Sequence, residues 1–132
     1  MMAPDSRLFS VDAAPRDGGG LTLALSGELD LSTIERLEQT VASRVDGKAE
    51  LVVMDLRELA FFDSTGLRLM LRLHARLEET GGRLVLIRGS RRVHRVFELT
   101  RAVEVLEIVP DPAEIAAGGA PPDRAGGAPP DR

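Results

Sequence analysis

The sequence predicts an α/β domain: a mixed, mostly parallel sheet of four to five strands with helices, entered through an N-terminal β-hairpin. Three observations predict it. Leu21, Leu23 and Leu25 alternate with Thr22, Ala24 and Ser26, the period of a half-buried strand. Two unbroken apolar runs, Leu51 to Met54 and Leu84 to Ile87, read as strands buried on both faces, as in a parallel sheet. Between and after these runs, apolar residues recur at helical spacing behind residues that can cap a helix.

In chain order, a weak strand from Leu8 to Ala13, the turn Arg16-Asp17-Gly18-Gly19-Gly20 and the Leu21 strand make the hairpin. Ser32 with Glu35 three residues on forms a capping box, and Ile34, Leu37, Val41 and Val45 predict a helix from Thr33 to Asp46. The first buried strand is expected to end near Asp55. A second helix covers Ser64 to Glu79, and Gly81-Gly82 stops it. Winding it at about 100° per residue turns Leu67, Met70, Leu71, His74 and Leu77 inward and Arg68, Arg72 and Arg76 outward. Leu69 falls among those arginines and is expected to be exposed. After the Leu84 strand, Ser90 caps a third helix through Leu99, with Val93, Val96 and Phe97 inward, and a last strand covers Val103 to Val109.

At 132 residues the chain has room for one domain. Residues 8–115 are expected to fold, and residues 1–7 to form a flexible N-terminus. Residues 116–132 contain the octapeptide AGGAPPDR twice in tandem, and apolar side chains larger than alanine stop at Ile115, so this tail has nothing with which to build a core and is expected to be disordered.

The absence of cysteine excludes disulfides, thiol nucleophiles and thiolate metal sites. No apolar run approaches the roughly 18 residues of a membrane span, and residues 1–20 lack a signal-peptide core, so a cytoplasmic protein without membrane insertion is expected. With no Trp or Tyr and only four Phe, a base-stacking platform is absent, and direct nucleic-acid binding is not expected. The net charge of -4 is unevenly spread: residues 1–60 carry 6 basic and 11 acidic groups, residues 64–101 carry 9 arginines and 3 glutamates. Such a split favours steering of a charged protein partner.

The densest polar constellation is Asp63-Ser64-Thr65-Gly66, between a buried strand and a helix start. Loops leaving the C-terminal ends of parallel strands are where sites form. At the helix start, free N–H groups and the positive end of the dipole favour an anion such as a phosphate, and Gly66 would let a partner's backbone approach. Ser64 is thus placed to carry a phosphoryl group. Plain N-capping by Asp63 or Ser64 stays open as the alternative. Thr65, Arg68, Leu69 and Arg72 form the docking face expected beside it.

These residues resemble the STAS domains, and among them the anti-sigma factor antagonists. Gly27-Glu28-Leu29-Asp30 is similar to that family's GELD segment, Leu51 to Leu56 followed by Phe62-Asp63-Ser64-Thr65-Gly66-Leu67 to its buried strand and phosphorylation loop, and Gly81-Gly82 with Leu84 to Ile87 to its next turn and strand. The resemblance covers about residues 8–112. It implies a switch without catalysis: Ser64 is the phosphoacceptor of a partner that is both a serine kinase and an anti-sigma factor. The unmodified form sequesters that partner and frees the sigma factor, and a protein phosphatase acting on phospho-Ser64 resets the cycle. Asp30 and Asp63 flank the serine, with Asp30 near the kinase contact. No cofactor is implied. The C-terminal helix usual in the family is short or missing here, because glycine and proline repeats follow Ile115 at once.

Other chemistries lack parts. A hydrolase needs a base beside Ser64, yet His74 lies ten residues down the same helix, about 15 Å away along its axis. An aspartic protease motif is interrupted by one extra residue. A receiver domain would use Asp55 but needs a late lysine, and Lys48 is the only lysine. His74 and His94 stand twenty residues apart, and the sequence shows no cluster of metal ligands. Arg83, Arg88, Arg91, Arg92 and Arg95 could touch nucleic acid, against which the overall acidity and missing aromatics argue. Within the STAS group, an accessory subunit of a lipid-transport ATPase or a stress-signalling scaffold without a phosphorylation cycle is the alternative.

Overall fold

The computed structural model of the chain describes residues 8–45 and 50–115. The flexible N-terminus and the repeat tail expected above lie outside the described residues. Five strands form one sheet in the order β1-β2-β3-β4-β5: β1 Ser10–Pro15, β2 Leu21–Leu29, β3 Leu51–Phe62, β4 Arg83–Ile87 and β5 Glu107–Val109. Only the β1–β2 hairpin is antiparallel; β2–β3, β3–β4 and β4–β5 are parallel. The helices are α1 Ile34–Arg44, α2 Ser64–Glu79 and α3 Arg91–Leu99. The expected fold class holds, with five strands.

The continuous apolar runs are explained by a sheet covered on both sides. Val52, Met54, Leu84 and Leu86 join the main core with Leu37, Met70, Leu73 and Phe97 from the three helices, whereas Leu51, Val53, Val85 and Ile87 form a second cluster with Ile115 on the other face. Each adjacent pair in β3 and β4 therefore serves both layers.

Four expectations are corrected. The strand β3 does not end near Asp55 but runs on to Phe62, because β2 continues to pair with it as far as Leu29↔Phe62 through two register shifts. Beyond β4, whose last partner of β3 is Ile87 opposite Asp55, α3 flanks the extension, and the Phe62 and Phe97 rings stack at 4.9 Å. The capping box at Ser32 and Glu35 does not form. Ser32 instead donates to the Asp30 carboxylate at 2.7 Å, and α1 starts at Ile34 and ends at Arg44, short of the expected Asp46. The last strand is shorter than Val103 to Val109: Arg101 takes a left-handed conformation (φ 66°) and a 3₁₀ turn covers Ala102–Glu104, burying Ala102 and Leu106 and leaving Val103 and Val105 exposed. Finally, Arg83 is no surface arginine. It is buried in β4, with its guanidinium paired to Glu107 of β5 at 2.6 and 2.9 Å, which ties the short edge strand to the sheet.

Ser90 caps α3 as expected, accepting from the Val93 N–H, and Val93 and Phe97 face the core. His94 is packed at the same helix, 6.2 Å from the Phe97 ring, with its Nδ1 buried and without a partner among the described residues. Burial first, and the Arg88 charge second, hold its pKa below the ordinary imidazole value, while Glu98 opposes them. The unfolded chain therefore takes up the proton at higher pH than the folded one. Stability against urea is expected to be level above pH about 6.5 and to fall as the pH drops from there through the lower folded pKa. The variant His94→Gln should show a flatter urea midpoint in that window; the same slope in both proteins would contradict this assignment.

Candidate functional site

The C-terminal ends of β2 and β3 bring the GELD and DSTGL segments together. Leu29 pairs with Phe62, and the next residue, Asp63, donates its N–H to the Leu29 carbonyl at 3.2 Å. Asp63 is the N-cap of α2: its carboxylate accepts from the Thr65 N–H at 2.9 Å, and its carbonyl accepts from the Leu67 N–H at 3.1 Å. Such a cap contributes about 1 kcal/mol to helix stability. Of the two residues that could cap α2, it is Asp63 that does so.

Ser64 occupies the first helical position, exposed, and its hydroxyl bonds to no described residue. The N–H groups of Ser64 and Gly66 likewise find no acceptor among the described residues, as the first turn of a helix dictates. An oxyanion on Ser64 would sit against these donors and the helix dipole. Arg68, one turn on and exposed, stands four residues from Ser64 on the same side of α2.

Gly66 serves a different purpose from the one expected. It is buried, and a Cβ there would lie 2.8 Å from Leu29 Cδ2 and 3.3 Å from a Phe62 ring carbon. The missing side chain makes room for Leu29 inside the domain, not for a partner. This contact joins the two segments: Leu29, fully buried, is the peg and Gly66 the slot.

Asp30 follows Leu29 directly. Its carboxylate accepts from the Ser32 hydroxyl and N–H, at 2.7 and 3.0 Å, and its carbonyl from the Thr33 and Ile34 N–H groups. The Ser32 hydroxyl bond, above all, lowers its pKa and keeps it ionised. Asp30 therefore shapes the entry to α1 while half-exposed at the same sheet edge as Ser64. Asp55, by contrast, is held in a two-pronged pair with Arg57 at 2.8 and 3.0 Å, which removes the receiver-like acceptor.

The docking face is revised on the α2 flank. Thr65 is half-buried, and Arg68 and Arg72 are exposed as expected, Arg72 lying 3.8 Å from Glu38 of α1. Leu69, expected to be exposed, is only 5% accessible. The helix α1 packs beside α2 on the same sheet face, so Leu69 and Leu73 form the floor of a groove between them with Val41 and Ala42. The sequence reading missed Leu31, which is 77% exposed next to Asp30, and Phe61, 39% exposed next to Phe62. Leu31 continues the period of Leu21, Leu23, Leu25 and Leu29, so no pattern in the sequence marks it as exposed.

This geometry accords with comparisons with known proteins. Residues 12–115 match the STAS domain, nearly all of the folded region. The chain belongs to the STAS domain family. Among curated relatives of this STAS domain, BtrV of Bordetella bronchiseptica, named as a candidate anti-sigma factor antagonist, is 32% identical over 68% of the chain and 78% of its own length. Among solved structures, an anti-sigma factor antagonist from Mycobacterium paratuberculosis superposes with a TM-score of 0.74 at 23% identity, covering 86% of this chain and 94% of that one. The antagonist SpoIIAA in its unphosphorylated form gives 0.66 at 20% identity, covering 90% of this chain and 98% of that one. Its phosphorylated form, from Bacillus, gives 0.60 at 21%, covering 77% and 93%. These structural likenesses establish the fold: a mixed five-stranded STAS sheet led by a hairpin. Among the described residues of the STAS domain, no helix is long and apolar enough to cross a membrane, and no group of three or more His, Asp and Glu could hold a metal.

Proposed function

We propose that this STAS domain is an anti-sigma factor antagonist in the cytoplasm, a regulatory binding protein and not an enzyme. Unmodified, it binds an anti-sigma factor that is also a serine kinase and so releases the sigma factor. Phosphorylation of Ser64 switches that binding off, and a protein phosphatase restores it. The observation that carries the reading is the exposed Ser64 hydroxyl, unengaged at the start of α2, with the Asp30 and Asp63 segments joined beside it. The names of the relatives, and the existence of a phosphorylated form of a structural neighbour, support it.

The sign and size of the switch follow from elementary electrostatics. A phosphoserine adds about -1.5 to -2 charges. One like charge about 5 Å away costs about 3 kcal/mol at an effective dielectric near 20, before salt screening. Since 1.4 kcal/mol is tenfold in affinity, an acidic kinase contact that tolerates the neutral hydroxyl would be lost on modification. The docking surface comprises Asp30, Asp63, Ser64, Thr65, Arg68 and Arg72, with Leu31 as an apolar contact; Gly66 and Leu69 support it from within.

Incubation with the cognate kinase and ATP is expected to add one phosphate to the wild-type protein and none to Ser64→Ala, read by intact mass. Modification of the Ser64→Ala protein to the same extent would overturn the assignment of the acceptor.

A further inference from the structure

The arginines of the β4–α3 segment are unused by the Ser64 surface. Arg88, Arg91, Arg92 and Arg95 are all exposed, and none makes an ion pair among the described residues. Of the carboxylates near them, Glu104 pairs with Arg101 at 2.8 Å and Glu107 with the buried Arg83 at 2.6 Å, while the exposed Glu98 lies 3.7 Å from His94 and forms no ion pair with these arginines. On a helical wheel Arg91, Arg92, Arg95 and Leu99 fall within an arc of about 100°, opposite the buried Val93 and Phe97. Leu99 is 70% exposed, and past the left-handed Arg101 the 3₁₀ turn adds Val103 and Val105, at 41% and 51%. Guanidinium groups without an ion pair among the described residues thus share α3 with the exposed Leu99, and Arg88 lines a cleft with the exposed Val103.

We propose that this face of α3, with the 3₁₀ turn after it, is a second docking surface, and that its occupant is an acidic amphipathic helix of a partner protein. Charge complementarity names the occupant. Four guanidinium forks match carboxylates in geometry as well as sign. Arg91, Arg95 and Leu99 recur every four residues, spanning about 12 Å along α3, the spacing at which a second helix presents its own side chains. A membrane is the poorer match, because interfacial surfaces use aromatic anchors and the chain has no Trp or Tyr. Nucleic acid is poorer too, since the chain's net charge of -4 opposes a polyanion at long range. The surface lies on α3 and the 3₁₀ turn, whereas Ser64 starts α2.

The test uses the full chain and a fluorescent two-heptad peptide with glutamates and leucines on one helical face, alongside its counterpart with glutamine for every glutamate. Anisotropy at about 0.15 M salt is expected to show at least tenfold weaker binding for the glutamine peptide. It should show the same loss for the charge reversal Arg91→Glu/Arg92→Glu/Arg95→Glu and for the milder Arg91→Gln/Arg92→Gln/Arg95→Gln. Leu99→Ser should weaken binding several-fold. Equal binding of both peptides, or no effect of either arginine variant, would overturn the proposal. So would binding of phosphatidylserine vesicles without binding of the peptide, or self-association in sedimentation that the arginine variants abolish with no peptide bound.

Discussion

The Ser64→Asp variant is expected to bind the kinase that acts as anti-sigma factor between tenfold and a hundredfold more weakly than the wild type, and Ser64→Ala to bind it within a few-fold. A permanent carboxylate at the first position of α2 carries about half the charge of a phosphate, and one like-charge contact is worth about 3 kcal/mol at short range before screening. Neither variant disturbs the fold on this account. Ser64 is exposed, its hydroxyl bonds nothing described, and the cap of the helix is Asp63. An acidic group at N1 favours the helix dipole, so the thermal midpoint of Ser64→Asp should match or exceed that of the wild type while its affinity falls. Arg68 sets the scale: one turn along, it partly neutralises a charge on Ser64, and Arg68→Ala should deepen the loss. Equal affinity of the Asp and Ala variants, measured by titration calorimetry, would remove the electrostatic switch.

Replacing Gly27 by alanine is expected to lower stability by about 3 kcal/mol or more, among the larger effects available to one substitution. Gly27 has φ +88°, and a Cβ there would stand 1.9 Å from the Leu8 carbonyl oxygen and 2.7 Å from its carbonyl carbon. These are backbone atoms, next to the buried Phe9, and cannot rotate away as a side chain can. The residue also sits at the second register shift between β2 and β3, just before Leu29 and Asp30. Its loss would therefore displace both the peg that fits Gly66 and the loop beside Ser64. For comparison, Gly18 in the hairpin turn has nearly the same φ, +83°, but nothing within 4 Å of a Cβ, so Gly18→Ala should cost only the backbone strain of about 1 kcal/mol. Urea unfolding separates the two. A loss for Gly27→Ala no larger than that for Gly18→Ala would mean that the close approach of Leu8 is not a constraint.

The elements that were legible in the sequence are those in which a local pattern and the tertiary environment agree. The β2 alternation, the buried runs of β3 and β4, the Ser90 cap and the glycine stop after α2 all carry their cause within a few residues. The misplaced elements depend on neighbours distant in sequence. Arg57, Glu58 and Ala60 do not read as a strand, and β3 continues through them because β2 pairs alongside and α3 flanks the other side. Leu69 lies among arginines on a helical wheel, which gives angular order but cannot say that α1 covers that flank. The capping box failed for a related reason: Asp30, one turn earlier, offers a carboxylate to Ser32 and so takes over the helix entry. At the site itself, the helix start at Ser64 and a cap at Asp63 or Ser64 were readable from the strand-to-helix junction. The role of Gly66 was not, because the side chain it accommodates belongs to Leu29, on another strand.

Phosphopeptide mass spectrometry of the protein purified from its own cells, in growth and under stress, tests the central claim most directly. The account predicts that the peptide containing Asp63 to Leu67 carries phosphate on Ser64 in at least one condition, with occupancy that changes between the two. Absence of phosphate on Ser64 in both would contradict the switch and favour a STAS domain that binds its partners without a phosphorylation cycle.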